Sequence, residues 1–247
     1  GTACETNGWL ITDVELLFMG YSQEGGVADA SGNAASFDWS FAPRFTLGYQ
    51  GPDTLGIRAR YWLYDDQTLS TTAETVAVDA FYIDTEIYQA FEVSCRTELE
   101  CSLGLRYQDF SQLATNTGGN SFIVAGNQGF GGVLGLQVKR DLIIGKLYAR
   151  GRFALTVGDA AINHFSTAPT VTFTALDNAF THAELALGYE ISRDLGNWGL
   201  LTLRTGAEWQ QWANVAIADS SFGGIGNDDV IEDAGFFGLT SAVGLEW

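Results

Sequence analysis

Proline, methionine and cysteine are nearly missing from this sequence, with three, one and three copies in 247 residues. So few cysteines exclude a disulfide-dense scaffold, and so few prolines leave long extended segments uninterrupted. Basic residues are scarce as well: 12 Lys and Arg face 30 Asp and Glu, for a formal charge of −18. A chain this acidic repels phosphate backbones, which excludes nucleic acid as a partner. No run reaches the roughly eighteen apolar residues of a membrane-spanning helix. Gly1 opens no signal-peptide pattern, so an exported chain is expected to be present in mature form. Neither a Gly-x-Ser-x-Gly elbow nor a His-Glu-x-x-His motif occurs, and no enzyme is expected.

What is present is a repeated phrase: apolar, glycine, apolar, usually followed by a polar or charged residue and an aromatic. It occurs at Leu47-Gly48-Tyr49, Leu55-Gly56-Ile57-Arg58, Leu103-Gly104-Leu105-Arg106-Tyr107, Leu134-Gly135-Leu136, Leu187-Gly188-Tyr189-Glu190, Thr205-Gly206-Ala207-Glu208-Trp209 and Val243-Gly244-Leu245-Glu246-Trp247. Each copy lies in a longer period-2 alternation, the signature of a strand with one apolar and one polar face. Glycine and charge share one face; Leu, Ile, Val, Tyr and Trp share the other. Crossing a bilayer takes roughly nine to eleven tilted residues, and the alternating runs are long enough for that. Thirty glycines and seven tryptophans suit tight turns and interfacial aromatic belts. The expectation is an all-β, closed antiparallel transmembrane barrel in the bacterial outer membrane, its partner the lipid bilayer.

Ten strands are predicted, over 8–20, 36–50, 54–66, 75–94, 98–113, 123–139, 146–158, 180–193, 198–212 and 233–247, as one domain spanning 1–247 with 1–7 as a periplasmic N-terminal segment. Thr170 to Ala175 also alternates and would lengthen a hairpin above the membrane; twelve strands is the alternative count. Short connections alternate with longer ones at 21–35, 67–74, 114–122, 159–179 and 213–232. Outer-membrane barrels have short periplasmic turns and long outer loops, which puts both termini on the periplasmic side. An even count lets the first and last strands pair and abolish the edges. The long loops contain no Lys or Arg, whereas Arg96, Lys139, Arg140, Lys146 and Arg193 fall at or near short turns.

Three stretches, Phe45 to Asp65, Tyr82 to Phe110 and Phe130 to Gly158, together with Gly206 to Trp212 and the final strand, resemble the pore-forming outer-membrane proteins related to the Legionella major outer-membrane protein, a family also abundant in planctomycetes. The resemblance implies a β-barrel with a pore role and no defined substrate. It also implies that the terminal aromatic, Trp247, is recognised by the barrel-assembly machinery.

With the greasy face toward lipid, parity points Asp13, Glu15, Arg44, Arg58, Arg60, Asp84, Glu86, Arg106, Arg150, Arg152, Glu184, Glu190, Arg204 and Glu208 into the lumen, with Asp38, Glu92 and His182. These residues either line a water-filled path or neutralise one another in a filled core. Ten strands lie near the narrow, filled end of barrel sizes. A narrow or gated passage is expected, and because acids outnumber arginines it should prefer cations. The alternative is a plugged structural or adhesive barrel whose outer loops build a surface assembly or a homo-oligomer. A hydrolase with His182 beside Asp79 or Asp109 is third. Cys95 and Cys101 flank a turn expected to centre at Glu98, which would set them opposite each other for a disulfide; Cys4 is left over. No cofactor is required, although Asp228, Asp229, Glu232 and Asp233 concentrate carboxylates that calcium or magnesium could use.

Overall fold

The computed structural model describes residues 8–23, 38–70, 74–116, 121–166, 171–217 and 231–247. They form ten antiparallel strands: β1 (Trp9–Gln23), β2 (Ser40–Gln50), β3 (Leu55–Ser70), β4 (Glu74–Ser94), β5 (Thr97–Asn116), β6 (Ser121–Asp141), β7 (Lys146–Ser166), β8 (Val171–Asp194), β9 (Leu200–Ala216) and β10 (Ile231–Glu246). Each strand pairs with its chain neighbour, and β1 pairs with β10 to close the barrel. The seam ends in two backbone bonds, Leu10 N–H to the Trp247 carbonyl at 2.8 Å and Trp247 N–H to the Leu10 carbonyl at 3.1 Å. Closure satisfies every strand edge, which matters most where no water can reach.

The walls are taller than the alternating runs first suggest. Strands β4 to β8 have 20 to 24 residues. At about 3.3 Å per residue and a tilt near 40°, they rise roughly 50–60 Å, about twice the apolar band of an outer-membrane barrel. Much of what reads as long loop is therefore strand. β3 runs to Ser70 and β4 starts at Glu74, β5 runs to Asn116 and β6 starts at Ser121, and β7 and β8 absorb most of 159–179, including Thr172 to Ala175. The end carrying Trp9, Trp247 and the turns at 51–54, 95–96, 142–145 and 195–199 is the terminal end, and the opposite end the loop end.

One predicted turn is displaced. The β4–β5 hairpin turns at Cys95 and Arg96, not at Glu98, and Ser94 pairs with Thr97 across a register shift between Glu92 and Ser94. Cys101 therefore stands opposite Gln89, and Cys95 and Cys101 are free, exposed thiols rather than a disulfide. Cys4 lies outside the described residues.

The exterior carries a broad apolar band, with Leu47, Ile57, Leu103, Leu105, Leu134, Phe153, Leu187 and Leu239 all exposed. Aromatic side chains bound it on both sides. Trp9, Tyr49, Trp198 and Trp247 stand toward the terminal end, and Phe18, Trp39, Phe41, Phe81 and Tyr107 toward the loop end. The upper set packs in pairs, with ring centroids 5.2 Å apart for Phe18 and Phe41 and 6.0 Å for Phe81 and Tyr107.

Candidate functional site

The lumen is divided into three levels. From the terminal end it opens as a polar vestibule of about 340 Å³, lined among others by Asp13, Arg58, Arg60, Glu100, Lys139 and Arg204. Inward glycines make room for the long side chains there. A Cβ on Gly48 would come within 3.0 Å of Arg58 Cβ, and one on Gly56 within 2.3 Å of the Tyr88 ring.

Above the vestibule lies an ionic layer that spans the barrel from wall to wall. Arg44 on β2 donates through Nη1 to Glu15 at 2.7 Å and to Glu208 at 2.8 Å, and through Nε to the Tyr82 hydroxyl at 3.0 Å. Arg106 on β5 grips Asp84 with two parallel bonds of 2.7 and 2.8 Å, donates to Glu184 at 2.7 Å, and lies over the Tyr82 ring at 3.8 Å. Arg152 on β7 bridges Glu184 at 2.9 Å, Asp84 and Glu86, and Arg150 donates to Glu208 at 2.7 Å. Planar guanidinium forks suit this work, since one arginine can serve two carboxylates from different strands. Arg44, Arg106, Asp84 and Glu208 are all essentially inaccessible to solvent.

One inward step higher the lumen becomes apolar. Glu15 gives way to Leu17 and Met19 on β1, Arg60 to Trp62 and Tyr64 on β3, Glu208 and Gln210 to Trp212 on β9. Trp62 stacks on Tyr82 at 5.4 Å and lies 6.0 Å from Trp212, while Phe236 meets Trp62 edge-on at 5.6 Å. Val76, Val78, Ile123, Ile162, Val215 and Ile217 continue this core toward the loop end. Near the end of β9 the chain takes positive φ at Asn214, after which Val215, Ala216 and Ile217 are buried. Asn127 on β6 holds that segment across the lumen: its Nδ2 donates to the Ala216 carbonyl at 2.9 Å, and its Oδ1 accepts from the Ala216 N–H at 2.6 Å.

The structure thus brings Glu15, Arg44, Asp84, Glu86, Arg106, Arg150, Arg152, Glu184 and Glu208 into one network. Arg58 extends the network toward the terminal end, joining Glu86 (2.8 Å) to Glu100 (2.6 Å), while Asp13 with Arg204 (2.6 Å) and Glu190 with Lys139 (3.1 Å) pair nearer that end. Asp38 and Glu92, inward by the same parity, are exposed at strand ends. His182 is fully buried, stacked on Trp212 at 4.2 Å with Nδ1 against Arg106; Asp79 and Asp109 sit on the outward face, so no His–Asp pair forms. The aromatic plug escaped sequence reasoning, although Trp62, Tyr64, Phe110, Trp212 and Phe236 share inward parity with the arginines. Asp228 and Asp229 lie outside the described residues. Asp233 accepts from Gln211 at 2.8 Å and from the Asn214 N–H at 3.2 Å, and Glu232 begins β10 beside it; no cluster with metal-ligating geometry occurs among the described residues.

No protein-family model and no curated protein matches the chain. Solved structures do. The chain is similar to the outer-membrane protease OmpT of Escherichia coli, with a TM-score of 0.60 and 13% identity over 97% of each chain. It also aligns with the translocator domain of the autotransporter NalP from Neisseria meningitidis (TM-score 0.49, 12% identity, 99% of this chain and 90% of that one). A major outer membrane protein from Thermus thermophilus aligns with a TM-score of 0.48 and 10% identity over 97% of this chain and 99% of that one. The fold is that of outer-membrane β-barrels, an architecture that serves proteases and channels alike; likeness at this identity transfers no protease chemistry.

Proposed function

We propose that this chain is a bacterial outer-membrane barrel closed by its own side chains, acting at its two ends rather than through its middle. The terminal end is then periplasmic, the loop end faces outward, and the acidic outer loops are available to a surface assembly, to a second copy of the chain or to divalent cations. Trp247, at the closing seam, is where the assembly machinery would engage the chain. The observation that carries this reading is the filled lumen: Trp62, Trp212, Arg44 and Arg106, from four different strands, are each at most 1% exposed. A diffusion pore needs water along its axis, and two consecutive layers here exclude it.

A gated passage is the second reading. It is favoured by the vestibule, by the Asn127 latch on the end of β9, and by the resemblance to pore-forming proteins. Cation preference has less support, because it rested on an excess of carboxylates that the arginines here neutralise pair by pair. Conductance in planar bilayers separates the two readings. Silence across ±200 mV (roughly the range that bilayers tolerate, and enough for about 4–5 kcal/mol per gating charge) supports the closed barrel. Steady cation-selective steps from the unmodified protein overturn it.

A further inference from the structure

The vestibule contains a guanidinium that the protein does not satisfy. Three arginines converge on Glu86. Arg58 donates Nε and Nη2 to Oε2 at 2.9 and 2.8 Å, and Arg152 occupies Oε1. Arg60 is left with a 3.6 Å approach to Oε1 and no hydrogen bond; its Nε and Nη1 are buried without a partner, and its side chain is 5% exposed. Its register neighbours on β2 and β4 are Thr46, a neutral hydroxyl, and Asp84, already held by Arg106 and Arg152. The other carboxylates of the vestibule are engaged too: Asp13 by Arg204, Glu100 by Arg58, Glu190 by Lys139 and Glu98 by Lys146. Glu246 stands at the rim, opposite Ile11 in the register.

A guanidinium stays charged and carries five N–H donors in a rigid fork, so burying it with two of its nitrogens unpaired is costly. We infer that the floor of the vestibule is an anion-binding site, in which Arg60 receives a small oxyanion, a carboxylate or a phosphate. Arg58, Arg150, Arg204 and Thr46 line the same vestibule. A space of about 340 Å³ suits a small solute and falls at the lower end of ligand pockets. The site opens to solvent at the terminal end, so its occupancy is independent of whether the lumen conducts.

The test is isothermal calorimetry on the full chain, folded in non-ionic detergent and titrated separately with inorganic phosphate and with acetate. Saturable binding of one anion per barrel is expected, at least tenfold weaker in Arg60→Gln and unchanged in Arg96→Gln, which removes a charge from an exposed turn. Tenfold is about the effect of losing one charge-assisted hydrogen bond. Binding of phosphate alone identifies a phosphoryl ligand, and binding of acetate alone a carboxylate. Heat-dependent gel mobility reports whether Arg60→Gln is folded. Should it not fold, Arg60→Lys, which keeps the charge but loses the fork, is expected to weaken binding in its place. No saturable heat with either anion, or affinity indifferent to the Arg60 substitution, overturns the inference.

Discussion

On its inward face β1 presents Asp13, Glu15, Leu17, Met19 and Tyr21 in succession, and β3 presents Arg58, Arg60, Trp62 and Tyr64. The outward face of β5 makes the opposite change, from Leu103, Leu105 and Tyr107 to Asp109 and Ser111. Toward the terminal end the barrel is apolar outside and ionic inside; toward the loop end it is cored like a soluble protein. The backbone does not register the difference, since strands and pairing continue through it. Alternation fixes where a strand runs, whereas the medium bathing the outer wall fixes which alternate set is apolar. The two sections also hold together differently. Ionic struts depend on every partner being present, whereas apolar packing accumulates from many small contacts.

That contrast can be broken at chosen points. Arg106→Ala removes one of the two arginines that hold Asp84 and Glu184, and a loss of about 3–5 kcal/mol is expected in denaturant unfolding from detergent. Met19→Ala, two inward positions above Glu15, removes packing but orphans no charge; about 2–4 kcal/mol is expected from the same measurement. A result for Arg106→Ala smaller than for Met19→Ala would mean that the ionic layer is hydrated, and the division between the halves would fail. A third test moves one charge along the outward face of β5. Leu105→Arg is expected to cost about 2–4 kcal/mol in lipid vesicles, as for a charge near the bilayer midplane. Ser111→Arg, six residues on and paired with Asp79, should stay within about 0.5 kcal/mol of the parent. Equal costs would place both positions in one medium. A smaller loss than at either core position is expected from Asn127→Ala, which unpairs the buried Ala216 N–H and carbonyl at about 1–3 kcal/mol. Hydrogen exchange of the Ala216 amide should accelerate while that of the β4–β5 ladder does not.

The strand count and the order of strands were legible in the alternating runs, because a period of two survives any change of surroundings; parity also points to the buried arginines and carboxylates of the ionic layer, but not to Glu100 and Lys139 in the vestibule. The height of the barrel was not legible. Beyond Gly158, β7 continues with Ala160 and Ile162 inward and Asp159 and Asn163 outward. Its parity is intact but its polarity inverted, so equating the greasy face with the lipid face ends the strand too early. The partners of the charges were equally hidden, since parity says that Arg60 and Arg152 both point inward but not that they compete for Glu86. The Cys95–Cys101 pairing failed for a local reason: a register shift at Glu92 to Ser94 moved the turn, and no composition signal marks a shift of that kind.

The seam between β1 and β10 has a consequence for how the chain reaches this state. Nine of the ten strand pairings join chain neighbours and form from nearby residues, so hairpins can zip one after another. The tenth joins Ile11 to Glu246. It spans far more sequence than any other pairing of the described strands, and it cannot form until β10 is in place. Until then the outer edges of β1 and β10 carry rows of unpaired amides and carbonyls, which water can solvate but hydrocarbon cannot. Ring closure and entry into lipid are therefore coupled, with the β1–β10 pairing as the final link.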